Sequence, residues 1–410
     1  MAHDTDVLIV GGGLNGPCLA LALAQVGINS IIIDASKAPG DQPTQDVFNG
    51  RAYALSLAST YMLAALGLWR DLAQHAQPIT DIKVSDGYAD GGTGPFILHF
   101  NHAELEEGPM GYMVEDRHLR RVLHTALKTT PQIHVIQGQH VIAQDTTNAA
   151  AHTVLQDGRT LSARLLVGAD GVRGETAPRA GIKRMVRDYR QTALVCAIAH
   201  EKPHNAIAHQ VFFPSGPLAI LPLQGDVCSI VWTETQTRAA DIAQLEDDAF
   251  IEVLRPRFGD FLGSIALQGT RAAYPLRLTL AQQFVQPHLA LVGDAAHGVH
   301  PIAGQGLNHG FRDVGALAET LANAKRRGED IAAPDVLARY QRWRRFDTAT
   351  LALTTDGVNT LFSNTNGVLR AMRGLGLGML NATPHFKRGL MRQAAGLSGD
   401  VPKLLQGQSL

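Results

Sequence analysis

Two hydrophobic patterns alternate along the chain. The apolar block Val7–Val10 is continuous, as in a parallel-sheet strand buried on both faces. Gly16 to Val26 (GPCLALALAQV) then has helical character, and Asn29–Asp34 (NSIIID) is a second buried strand, which predicts a βαβ unit in the first 34 residues. Further strand candidates come at Leu161–Asp170, after the turn dipeptide Asp157-Gly158, and at His288–Asp294. From about Gly181 to Pro275 the pattern changes. Phe212-Phe213-Pro214, Leu218–Leu223 and Val227–Thr233 are short β-like runs parted by Gly and Pro turns, which predict an antiparallel sheet joined by an earlier excursion around Ile79–Phe100. From Asp313 onward the pattern is helical and basic, and no internal repeat or low-complexity tract appears. The predicted class is α/β, with a glycine-rich parallel-sheet domain, an antiparallel β-rich domain and a C-terminal helical region. The predicted boundaries are 1–78, 101–180 and 276–330 for the first, 79–100 and 181–275 for the second, and 331–410 for the third. A chain of 410 residues has room for these parts and a sizeable core.

Composition narrows the class only a little. Hydrophobic residues make up 45% and charged residues 18%, as in an ordinary globular enzyme. Lys plus Arg total 36 against 37 Asp plus Glu, so no global field favours nucleic acid. Cys18, Cys196 and Cys228 form no CxxC pair, which points to a reducing compartment and away from disulfides or zinc. Cys18, among small and apolar residues, reads as a buried inert thiol. The N-terminus has no signal-peptide pattern and no apolar run reaches about 18 residues. A cytoplasmic protein is expected, and the basic C-terminus raises peripheral contact with the inner membrane face.

The chemistry lies in the glycine loops. Gly11-x-Gly13-x-x-Gly16 follows a strand and opens a helix. The first glycine permits a tight turn, the second lets a diphosphate approach the backbone, and the third allows close helix–strand packing. Asp34 ends the second strand, where a carboxylate can accept hydrogen bonds from ribose hydroxyls. This motif alone does not separate NAD from FAD. Far downstream, Gly293-Asp294 ends an apolar run, a Pro-containing loop follows, and Gly304-Gln305-Gly306 opens a predicted helix. Asp294 facing that helix suits a ribityl chain and a flavin ring, whose negative charge helix N–H groups can stabilise. FAD is therefore the expected cofactor. His297 and His300 lack the partners of a metal site, so no metal is expected and both read as structural or pocket-lining. Glu104, Glu106 and Glu107 read as a solvated loop face. Residues 366–410 combine Arg370, Arg373, Lys387, Arg388, Arg392 and Lys403 with Leu375, Leu377, Met379, Leu380, Phe386, Leu390 and Met391. Two readings stay open for them: a helical cap on the cofactor domain, or a surface for anionic membrane.

These motifs together resemble the flavoprotein aromatic hydroxylases of the para-hydroxybenzoate hydroxylase type, and within them the ubiquinone-biosynthesis hydroxylases. The marks are GGGLNG at 11–16, Gly168-Ala169-Asp170-Gly171, GDAAH at 293–297 and HPIAGQGLNHGFRD from His300 to Asp313. The block LGLGMLNATPHFKRGLMRQAAGLSGD is also similar, so the resemblance spans essentially the whole chain. It implies ADP-binding roles for Gly11, Gly13, Gly16 and Asp34, and a place near the flavin for Arg51. It implies FAD support, linked to reductant binding, for Asp170. Gly293 and Asp294 match the ribityl motif, and Gly304, Gly306, Leu307 and Asn308 match the loop under the isoalloxazine ring. His300, Pro301 and Gln305 would line the pocket, and Asp116 stands where relatives carry an amide or arginine beside the flavin. Two departures bear on reductant binding. Gly174 replaces the usual serine after Val172-Arg173, and Pro178 falls inside a predicted helix start.

The implied reaction is hydroxylation of a polyprenylated phenol through a flavin C4a-hydroperoxide in ubiquinone biosynthesis. Molecular oxygen is the co-substrate, NAD(P)H or a ferredoxin-type protein the electron donor, and a ubiquinone-biosynthesis complex the setting. By predicted location, Phe213, Leu221, Pro222 and Trp232 would border the ring. Two alternatives stand beside this reading: an NAD(P)H-dependent hydroxylase of a small soluble phenol, and a non-catalytic flavoprotein scaffold.

Overall fold

The computed structural model describes residues 3–37, 48, 50–88, 91–105, 107–147, 149–298, 305–345, 347 and 383–410. A mainly parallel sheet holds the strands Leu289–Leu291, Thr160–Gly168, Thr5–Val10, Ser30–Asp34 and Ile133–Gln137 side by side in that order, all mutually parallel. Val285–Gln286 adds an antiparallel edge, and the hairpin Val141–Asp145/Ala151–Leu155 leans on Thr160–Gly168. Val7, Leu8, Ile9 and Ile32 are fully buried, as their unbroken apolar runs require. The helices Asn15–Ala24 and Gln305–Arg326, which carry the two glycine motifs, pack against each other. The run His288–Asp294 gives only a three-residue strand. Gly293, at φ +59°, ends it and starts a single 3-10 turn, Gly293–Ala295.

The larger antiparallel sheet is built in the order His297–Gly298, Ile265–Ala281, Arg184–His200, Val227–Thr235, Gly216–Pro222, Ile207–Phe213, Asp81–Gly87 and Thr93–Asn101. Ile207–Phe213 runs parallel to Asp81–Gly87, and this pairing brings the early excursion into the sheet. Strand alternation sorts the side chains onto two faces. Leu194, Ile198, Val211, Phe213, Ile220, Ile230 and Trp232 face the helices Gln236–Ala243 and Asp247–Phe258, whose Ala239, Ile242, Phe250 and Leu254 complete that core. The opposite face carries Ala208 and Leu221, which cluster with Ile79, Met110, Met113 and Leu223. There it meets a small sheet formed by Ala52–Ser56, Gly111–Glu115 and Ala76–Ile79.

The C-terminal helix Pro384–Ala394 packs on that same cluster through Met391, which is 1% exposed. Lys387 pairs with Glu104 at 2.7 Å and Arg392 with Glu107. Glu104 and Glu107 are therefore anchors rather than a solvated loop face, because their partners arrive from the far end of the chain. Glu106, Arg370, Arg373 and the apolar positions Leu375 to Leu380 lie outside the described residues. No described helix is long and apolar enough to cross a membrane.

Candidate active site: a cofactor cradle at the carboxyl edge of the parallel sheet

The motif loops leave the same edge of the parallel sheet, since Val10 is in register with both Gly168 and Ile33, and Gly168 with Leu291. The first strand has Ser30–Asp34 on one side and Thr160–Gly168 on the other, which is the topological switch point where such sheets bind ligands. Gly11, at φ +115°, lies so close to Ala169 that a Cβ would strike its carbonyl oxygen. A Cβ on Gly16 would strike the Gly11 carbonyl, which holds the helix start tight against the strand. Gly13 differs. Its backbone is unstrained and a Cβ would meet nothing within 4 Å, so the protein itself gives no reason for glycine there. An open backbone beside unpaired helix N–H groups fits a diphosphate. The Asp34 carboxylate lies over Gly12 and accepts a hydrogen bond from Ser36 N at 3.0 Å, so Gly12 is as constrained as Gly11 and Gly16.

Asp170 accepts from the N–H and hydroxyl of Thr176 at 2.9 and 2.8 Å. It thereby caps the short helix Thr176–Arg179, in which Pro178 sits within the first turn. Its second oxygen, Oδ1, is sealed and unpaired. A Cβ on Gly174 would collide with this carboxylate, which accounts for glycine in place of the usual serine. Arg184 ties the middle and distal motifs together by donating to Val172 O at 2.9 Å and Ala295 O at 3.1 Å.

Around Gly293-Asp294 the structure builds a buried ionic cluster that the sequence did not reveal. Asp313, 0% exposed, accepts from Gly293 N at 2.9 Å, bonds His297 Nε2 at 2.6 Å and accepts from Arg344 Nε at 2.7 Å. Burial alone would raise the Asp313 carboxyl, but the His297 and Arg344 charges and hydrogen bonds hold it well below the usual carboxylate range. His309 stands edge-on to His297, and burial, with the His297 and Arg344 charges, pushes its pKa down to about 3. Tyr340 closes the cluster by donating to Leu291 O at 2.7 Å. His297 is thus a structural residue fixing the turn, and its strand His297–Gly298 pairs with Thr279 and Leu280 of the large sheet. Solvent reaches the side chain of Asp294, yet protein crowds it on several sides, and the partial desolvation raises its carboxyl. Asn15 lodges between Gly293 and Gly310, either of which would clash with it if given a Cβ, so the two cofactor motifs interlock.

A second set of contacts fixes the flank. The Asn308 side chain accepts from Ser56 N at 2.9 Å and Ser59 Oγ at 2.7 Å and donates to Ala54 O at 2.9 Å. Its amide is committed to tying the long helix to strand Ala52–Ser56. Gly306 has nothing within 4 Å of a notional Cβ, while Leu307 packs on the main core and Gln305 is half-buried beside them. Gly304, His300 and Pro301 lie outside the described residues. Arg51 is exposed at the entry to strand Ala52–Ser56, and its carbonyl accepts from Asp116 N at 3.0 Å. Asp116 accepts from Tyr53 Oη at 3.0 Å and Arg120 Nε at 2.8 Å, and burial with that neighbouring carboxylate pushes Tyr53 up to about 12.

The residues expected around the substrate ring divide between the two faces of the large sheet. Leu221 lies on the cofactor side, in the cluster with Met113 and Met391. Phe213 and Trp232 lie on the other side, 1% and 0% exposed, with Arg257 over their rings at 5.1 and 5.7 Å and Phe250 against Trp232. Pro222, buried opposite Cys228, falls on the helix-covered parity too. The expectation for Phe213, Pro222 and Trp232 is corrected accordingly, since the helices fill the side they face. Among the described residues no group of His, Cys, Asp and Glu is arranged to hold a metal ion.

Comparison with known proteins accords with this cradle. Residues 4–353 match the family model for an FAD binding domain. Over 99% of its length the chain is 42% identical to the ubiquinone hydroxylase UbiL of Rhodospirillum rubrum, covering 93% of that protein. It is 35% identical to the 3-demethoxyubiquinol 3-hydroxylase of Escherichia coli, over 96% of this chain and 99% of that one. Its fold is similar to that of p-nitrophenol 4-monooxygenase PnpA from Pseudomonas putida, with a TM-score of 0.79, 19% identity, and coverage of 97% and 99%. The chain belongs to the FAD-binding family of flavoprotein hydroxylases, in the branch that holds the ubiquinone hydroxylases.

Proposed function

We propose that the chain is an FAD-dependent monooxygenase of ubiquinone biosynthesis that hydroxylates the ring of a polyprenylated phenol. The observation that carries this reading is the convergence of three motifs on one sheet edge in a chain 42% identical to a ubiquinone hydroxylase. Bound FAD supplies the redox and oxygen chemistry; the chain holds and orients both partners. Gly13 and the N-terminus of helix Asn15–Ala24 would receive the diphosphate, Asp34 a ribose, and Asp294 the ribityl chain. Backbone N–H groups at Gly306 and Leu307 would face the flavin ring, with Arg51 on the flank. The substrate ring would lie against the cofactor-side face of the large sheet, where Leu221 sits. This divides labour between an FAD-holding part and a substrate part at 79–100 and 181–275. Oxygen and an electron donor, NAD(P)H or a ferredoxin-type protein, complete the reaction. The protein would work in the cytoplasm at the inner membrane face, where a prenylated phenol partitions, within a biosynthetic complex.

Quinone profiling by mass spectrometry in a strain lacking this gene tests the reading. A prenylated phenol one hydroxyl short should accumulate, and its substitution pattern identifies the carbon. A normal quinone pool with no redundant hydroxylase present would overturn the reading. Fast NAD(P)H oxidation stimulated by a small phenol would then favour the soluble-substrate reading. A yellow, oxygen-inert protein that co-purifies with partners would favour a scaffold.

A further inference from the structure

On the cofactor-side face of the large sheet, one transverse row consists of Val84, Gln210, Ala219, Val231 and Val195, aligned by consecutive strand registers. Parity puts Gln210 on this face, between His209 and Val211, which point to the helix-covered side. The row is apolar except for that one amide. Gln210 is only 9% exposed, and its carboxamide makes no hydrogen bond to any described residue. Nor is it sealed in the way the Thr233 hydroxyl on the same face is. Burying an amide without a partner is costly, and Leu or Met would fill the position at no such cost. Because its polar atoms are not sealed, water can serve the amide in the empty site, and a ring that displaces this water must itself offer the amide a partner.

That partner has a definable chemistry. The cofactor-side positions of strands Ile207–Phe213, Gly216–Pro222 and Val227–Thr235 include no Lys or Arg, so this floor offers nothing to neutralise a carboxylate. A carboxamide donates through Nε2 and accepts through Oε1, which matches an uncharged hydroxyl. We propose that Gln210 is a specificity-determining residue, whose carboxamide reads the oxygen substituent of a neutral aromatic ring held against this face. The proposal rests on the hydroxylase reading above for the identity of the ring, and it disfavours an aromatic acid as substrate.

The test titrates FAD-loaded wild type, Gln210→Leu and Gln210→Glu with 2-geranylphenol and with geranylbenzene, following flavin absorbance and thermal stability. Wild type should bind the phenol at least about tenfold more tightly than the hydrocarbon, since the site's amide is left unpaired by the latter. Gln210→Leu should bind both alike, with FAD content unchanged. Gln210→Glu, which keeps the shape and an acceptor but adds charge, should bind both more weakly than wild type. Wild type that ignores the hydroxyl, or Gln210→Leu that still discriminates, would overturn the proposal. Hydroxyl-selective binding that is lost in Gln210→Leu, without turnover by reduced enzyme and oxygen, would leave Gln210 in place and refute the hydroxylase reading instead.

Discussion

Asp294 and Asp313 are carboxylates 19 positions apart in sequence, with opposite situations. Asp294 is solvent-reached, crowded and raised, whereas Asp313 is sealed among cationic partners and lowered. The first is placed for a ligand and the second for the fold. Asp294→Ala should therefore leave the fold intact and weaken FAD retention by roughly 1.5–3 kcal/mol, the scale of a hydrogen bond to a charged acceptor. Flavin titration of the apoprotein checks this, and unchanged affinity with an unchanged spectrum would remove the ribityl role. The histidines give a pH signature. His309 is pushed down to about 3 and His209 to about 4, both by burial first. Their folded pKa values lie below the ordinary value, so the unfolded chain takes up the protons first as pH falls. Stability should then decline as pH falls below about 6.5, on the order of 1 kcal/mol per pH unit for each group, the His209 share levelling off near pH 4 and the His309 share near pH 3. Denaturant unfolding across that range measures the slope, and His309→Gln should flatten it.

At the scale of elements, the long helix Gln305–Arg326 is the keystone: Asn308 grips strand Ala52–Ser56, Gly310 accepts Asn15, and Asp313 fixes the turn of Gly293. Asp313→Asn would leave the buried Arg344 only its second carboxylate partner, Asp347 at 2.7 Å, and would uncharge the group that holds His297, a loss of about 2–3 kcal/mol that unfolding curves would register. A loss under 1 kcal/mol would mean the cluster relaxes onto other partners. This level also marks the limit of the sequence. The βαβ unit and glycine loops were legible because continuous apolar runs and glycine spacing are local consequences of burial and of tight turns. The faces of the large sheet were not. Alternation groups Trp232 with Ile230 and Cys228, yet it does not say that helices Gln236–Ala243 and Asp247–Phe258 cover that group. The Asp313–His297–Arg344 cluster and the Lys387–Glu104 pair were invisible for a related reason, since each joins residues with no local pattern in common.

For the whole molecule, the cradle draws on residues 11–34, 168–176, 293–298 and 305–308, so ligand and fold are thermodynamically linked. With free FAD at a hundred times its dissociation constant, linkage adds about 2.7 kcal/mol of stability. Holoprotein should melt higher than apoprotein in one cooperative step, with the shift growing with FAD concentration. A transition insensitive to FAD would mean that the two motifs do not share one ligand.

The interlock of Asn15 with Gly293 and Gly310 also sets an order of events during biosynthesis. A nascent chain exposes its first glycine loop early, but the strand Leu289–Leu291 that borders Thr160–Gly168, and the turn that holds Asn15, leave the ribosome much later. Until then the parallel sheet has an open edge and the nucleotide loop lacks its distal wall. Complete cofactor binding therefore waits until the distal motif has emerged, and cells short of flavin would hold a polypeptide whose sheet is closed but whose cradle awaits its ligand.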